Sequence, residues 1–127
     1  DVYKTNLFES GVLINEGNAS FRFIPFPEMS QLSTVNDIVI DDVDMDGIKD
    51  ILVCGNSNDA AVMVGNIDGP GALLLKGNGG GSFSSVSPAE DGLTVRGEVR
   101  KIIYLKEKKS MLVFLKNDNA AQVFIKE

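Results

Sequence analysis

Short runs of β-branched, aromatic and other apolar residues recur along the chain, each bounded by clusters of Gly, Asn, Asp or Pro. Such punctuation predicts strands, and helix signals are nearly absent. Strands are expected near 11–16, 20–26, 35–41, 50–55, 71–76, 82–87, 98–105, 110–116 and 121–126. The glycine run Gly77-Asn78-Gly79-Gly80-Gly81 lies between two of them, where glycines supply the positive φ of a tight hairpin turn. A phosphate-cradling loop would need a helix to follow, and Ser82-Phe83-Ser84-Ser85-Val86 reads as strand instead.

The pattern repeats when the sequence is shifted by 60 residues. Gly11-Val12-Leu13-Ile14-Asn15-Glu16-Gly17-Asn18 returns as Gly71-Ala72-Leu73-Leu74-Leu75-Lys76-Gly77-Asn78, and Ser20-Phe21 as Ser82-Phe83. Ile51-Leu52-Val53 returns as Met111-Leu112-Val113, and Ala60-Ala61 as Ala120-Ala121. A period of this order, carried by strands, suits a four-stranded propeller blade with extended loops. The fold class expected is all-β, about two blade-equivalents of a β-propeller. Residues 7–27 would be two outer strands of one blade, 35–88 a complete blade, and 98–126 a partial last one. Since closure takes four to eight blades, the chain cannot close alone.

Composition narrows the function. The chain has 127 residues, 43% of them apolar, a net charge of −6 and no histidine. Histidine is the commonest general base and transition-metal ligand, so Ser-His-Asp, Cys-His and zinc-histidine chemistry are excluded within the chain. The negative charge disfavours nucleic acid and anionic membranes. No apolar run is long enough for a membrane helix. Cys54, the single cysteine, lies in an apolar strand and reads as a buried thiol. The one dense basic run, Lys106-Glu107-Lys108-Lys109, reads as a solvated hairpin tip. The sequon Asn18-Ala19-Ser20 could accept a glycan in a eukaryotic secretory pathway.

One segment carries chemistry: Asp42-Val43-Asp44-Met45-Asp46-Gly47-Ile48-Lys49-Asp50, between two predicted strands. Carboxylates at loop positions 1, 3, 5 and 9 can converge on a hard cation if the chain turns sharply, and Gly47 at position 6 allows the turn. The predicted ligands are Asp42, Asp44, Asp46, the Ile48 carbonyl and Asp50, holding one Ca2+ per chain; Asp37 and Asp41 fall on no ligand position. Position 12, glutamate in an EF-hand, is Val53, and the flanks are strands, so the loop is not an EF-hand. The alternative is an acidic turn using Asp and Gly for turn chemistry alone. The shorter equivalent segment, Leu105-Lys106-Glu107-Lys108-Lys109-Ser110, cannot hold calcium, so the ion would staple one hairpin and not the other.

The run from Asp37 through Asp50 to Val53, followed by Gly71-Ala72-Leu73-Leu74-Leu75-Lys76-Gly77-Asn78, Phe83 and Pro88, resembles the FG-GAP or VCBS repeat of integrin α-subunits and bacterial surface propellers. The likeness covers 35–88, with 11–27 and 98–126 as partial units, and from Gly71 to Arg100 it is similar to the C-terminal end of bacterial VCBS-repeat proteins. The literal Phe-Gly pair is missing and the last unit lacks the acidic loop. The resemblance implies a calcium loop joining a blade's first two strands, and an extracellular, periplasmic or cell-surface location. The function expected is a non-enzymatic binding or scaffold module. Its edges would be covered by the rest of its propeller or another copy of the chain, and its loops, Asn56–Pro70 with Asn58 and Asp59 first among them, could recognise a protein or glycan. The alternative is part of a polysaccharide lyase or hydrolase. For that, Glu9, Glu16, Glu28, Glu90, Asp91, Glu98, Glu107 and Asp118 form no visible constellation, and Arg96 and Arg100 near Glu98 read as a surface ion pair.

Overall fold

A computed structural model describes residues 2–56 and 69–126, and its fold is all-β. Strands β1 (Gly11–Gly17) and β2 (Ser20–Pro25) form a two-stranded sheet. Strands β3 (Val35–Asp41), β4 (Asp50–Gly55), β5 (Ala72–Gly77) and β6 (Phe83–Ser85) form a four-stranded sheet in chain order. Strands β7 (Val99–Lys106), β8 (Ser110–Lys116) and β9 (Gln122–Ile125) form a three-stranded one. Every pairing is antiparallel. The described residues form no closed barrel or propeller. No helix among them is long and apolar enough to cross a membrane.

Two short helical turns interrupt the strands. A 3-10 turn spans Glu28–Gln31, and a one-turn helix, α1, spans Pro88–Asp91. Helix α1 begins where the strand predicted over 82–87 was to end. Ser87 Oγ accepts the Ala89 N–H while Glu90 reaches back to the Ser87 N–H, and this reciprocal cap ends β6 early. Gly79, Gly80 and Gly81 all have positive φ and turn β5 into β6, as a hairpin demands.

The four-stranded sheet lies between the other two, which is why β4 and β5 read as continuous apolar runs. Ile51, Val53, Leu73 and Leu75 pack with Phe26, partly covered by Val12 of the first sheet. On the opposite face Leu52, Cys54, Ala72 and Leu74 pack with Val99, Ile102, Leu112 and Phe114 of the third sheet. Phe114 is fully buried and meets Phe124 edge-on, with ring centroids 5.7 Å apart. Strand β3, at one edge of its sheet, instead alternates exposed and half-buried residues.

These faces bear on the internal alignment. The face of β4 turned toward the preceding sheet carries Ile51 and Val53, and that of β8 carries Leu112 and Phe114. If the second and third sheets are equivalent units, Ile51-Leu52-Val53 matches Leu112-Val113-Phe114, one residue on from the Met111-Leu112-Val113 read from the letters. Side chains alternate along a strand, so a single slip exchanges the faces.

The loop Asn56–Pro70 falls mostly outside the described residues, Asn58 and Asp59 included. Its two ends are clamped: Asn56 Nδ2 donates to the Gly69 carbonyl at 2.7 Å, and the Gly69 N–H donates to Asn56 Oδ1 at 3.0 Å.

Candidate metal centre

Residues 42–49 connect β3 to β4 and are shaped by their own carboxylates. Asp46 N–H donates to Asp44 Oδ1 at 3.1 Å, Gly47 N–H to Asp42 Oδ2 at 3.0 Å, and Ile48 N–H to Asp46 Oδ1 at 2.8 Å. The turn also requires positive φ at Gly47, 89°, and at Met45, 69°. The first costs nothing, whereas the second places a side chain in the left-handed region and is strained.

Asp50 is the keystone. Its carboxylate is fully buried and accepts from Val43 N–H at 2.9 Å, Asp44 N–H at 3.3 Å and Gly77 N–H at 2.9 Å. A carboxylate so placed needs charge-assisted hydrogen bonds to offset its desolvation, and these three tie the loop's start and β5 to the head of β4. A Cβ on Gly77 would come within 2.3 Å of the Lys49 carbonyl oxygen, so β5 can approach the loop only with glycine there.

Asp42, Asp44 and Asp50 each offer an oxygen, all within 4.8 Å of one another. Ligands on opposite sides of a calcium ion at about 2.4 Å are about 5 Å apart, so the three oxygens fit one coordination sphere. Asp42 Oδ1 is buried and has no hydrogen-bond partner among the described residues. Of the five predicted ligands, Asp46 stands apart: it pairs at 2.9 Å with Lys76, which also pairs with Asp44. Lys76 holds the Asp46 carboxyl below its ordinary value, and the hydrogen bonds it donates to Asp44 and Asp46 hold the Lys76 ammonium above its own. Ile48 is tied to the loop through its N–H.

The two acids outside the predicted ligand set join this hairpin to the third sheet. Asp37 accepts from Ile102 N–H at 2.8 Å and from Lys101 at 3.1 Å; burial pushes its pKa up, but these bonds outweigh burial and hold it below its ordinary value. Asp41 binds Lys106, whose ammonium also lies 5.4 Å from the centre of the Tyr104 ring. Lys106 thus ends β7 in an ion pair, and only Glu107-Lys108-Lys109 form the solvated tip. From 82 residues away Lys126 donates to the Asp44 carbonyl at 2.9 Å and also reaches that of Val43. No local signal could have shown that contact.

Four of the remaining acids have structural partners. Glu16 binds Arg22 at 2.7 Å, Glu90 caps α1, and Asp91 accepts the Leu93 N–H at 2.8 Å. Glu98 is buried, not on the surface, and its carboxylate lies against the half-exposed Arg100 and the Asn117 amide. Comparison with protein-family models, with characterised proteins and with solved structures yields no match.

Proposed function

We propose that the chain is a calcium-stapled, non-enzymatic binding or scaffold unit of a secreted or surface-exposed protein, built like the FG-GAP and VCBS repeats it resembles. The observation that carries this reading is the buried, unpartnered Asp42 Oδ1 beside carboxylate oxygens of Asp44 and Asp50. A buried charged oxygen without a partner is costly, and a cation supplies the missing interaction. In the filled site Asp42, Asp44 and Asp50 form the core of the sphere, and Asp46 and the Ile48 carbonyl complete it once Lys76 withdraws. Oxygen-only ligands favour calcium over transition metals, and a millimolar extracellular supply fills a site of modest affinity.

The architecture supports a scaffold. A four-stranded meander stacked between two further sheets is the arrangement of successive propeller blades, and the two- and three-stranded sheets are then partial blades awaiting strands from elsewhere. Calorimetric titration of chelator-stripped protein tests the reading: saturable heat at one site, lost in Asp42→Ala, supports it. No heat with calcium, under conditions where the folded state persists, would overturn it.

A further inference from the structure

The three-stranded sheet ends at β9, and no described strand pairs with its far edge. Lys126 N–H donates to the Ser110 carbonyl, so in an antiparallel ladder the Phe124 and Gln122 backbone groups also face β8. The N–H and C=O groups of Val123 and Ile125 therefore point outward, and their side chains are about half exposed. Beside this edge lies a groove of about 390 Å³, floored by Leu74, Leu93, Leu112 and Phe124, with Asp91 and Lys126 also lining it. In the neighbouring sheet the corresponding edge of β5 is occupied by β6.

The same chain carries an extended segment with the opposite need. Val2–Glu9 has no secondary structure and no backbone hydrogen bond to the rest of the described residues. Tyr3 is 99% exposed and Phe8 84%, and Val2 and Leu7 are exposed too. If the segment is extended, Val2 and Phe8 fall on one face and Tyr3 and Leu7 on the other. One face can enter the groove while the other lies along Val123 and Ile125.

We propose that residues 2–9 of a second copy of this chain add as a fourth strand to the β9 edge, and that reciprocal exchange closes a two-fold dimer. Strand addition supplies backbone hydrogen bonds along the edge and pockets for alternate side chains, and reciprocal exchange satisfies both edges at once. The size is adequate: aromatic side chains bury about 150–250 Å² each, so Tyr3 and Phe8 from two copies contribute roughly 600–1,000 Å². Val2, Leu7 and the strand backbones then bring the total toward the roughly 1,200 Å² of the smaller stable interfaces. The inference does not require the ion, and a chain that binds no calcium yet dimerises through this strand leaves it standing.

Sedimentation equilibrium of the full chain tests it, with the Tyr3→Asp/Phe8→Asp variant, whose exposed side chains the monomer fold does not use. The expected result is a mass approaching twice 13.7 kDa as concentration rises, reverting to one chain in the double variant and on adding excess synthetic peptide of residues 2–10. A monomer at every concentration up to about 1 mM, the weak end of measurable affinity, overturns the proposal. So does a dimer that persists in the double variant, which would place the contact on another surface.

Discussion

Individual residues divide between those whose role is written locally and those defined by a distant neighbour. Cys54 reads as a buried thiol from its strand, and burial, with the Asp37 charge, pushes its pKa up to about 12. Only the thiolate is reactive. Native protein should therefore resist alkylation by iodoacetamide at pH 8, followed by mass spectrometry, and become labelled when denatured. Gly77 is different, since its need for glycine comes from the Lys49 carbonyl across the sheet. Gly77→Ala is expected to lower stability by about 1–3 kcal/mol, in the range of overpacked sites, as measured by urea denaturation. Asp42, Asp44 and Asp50 are brought together as their spacing suggests, because Gly47 and the turn bonds are local. The engagement of Asp46 by Lys76 was not legible, since the two lie 30 residues apart in sequence.

At the scale of the element, the alternation of apolar runs with Gly, Asn and Asp clusters places all nine strands within about three residues of their ends, because strand punctuation is a short-range property. Helix α1 was not expected, because Val86 and the serines before it read as strand; its capping box, Ser87 with Glu90 three residues later, is the local signal that went unread. The hairpins β3–β4 and β7–β8 carry opposite charge, and the second forms with Glu107-Lys108-Lys109 at its tip and no acidic loop. They also clasp each other through Asp37, Lys101, Asp41 and Lys106. Asp37→Ala removes the acceptor of Ile102 N–H and Lys101, and should cost about 1–3 kcal/mol by chemical denaturation, as for charge-assisted bonds. Because the folded Asp37 pKa lies below its unfolded value of 3.8, this contribution is present above pH 3.8 and is lost as pH falls through the folded value. Wild type should therefore lose stability more steeply than Asp37→Ala over that acid interval.

For the whole molecule, which sheets stack and by which faces could not be read from one sequence, since a strand's letters do not say which side meets its predecessor. Phe114 sits where the second and third sheets meet, and Phe114→Ala should cost about 3–5 kcal/mol. A calcium ion in the loop would act at this scale as well, because the loop is fastened to β5 through Asp50 and to the third sheet through Lys126. A ligand that binds only the folded state raises the melting temperature of everything cooperative with its site. Lys76 separates a metal site from an acidic turn neutralised by its own lysine, since its ammonium sits against Asp44 and Asp46. The decisive measurement is the thermal midpoint of Lys76→Met in chelator and in millimolar calcium, beside wild type. If the loop is a calcium staple, the variant melts below wild type in chelator and calcium restores it to the calcium-loaded wild-type value or above. If the variant is destabilised equally in both solutions, and wild type is indifferent to calcium, Lys76 alone closes the loop and the metal reading fails.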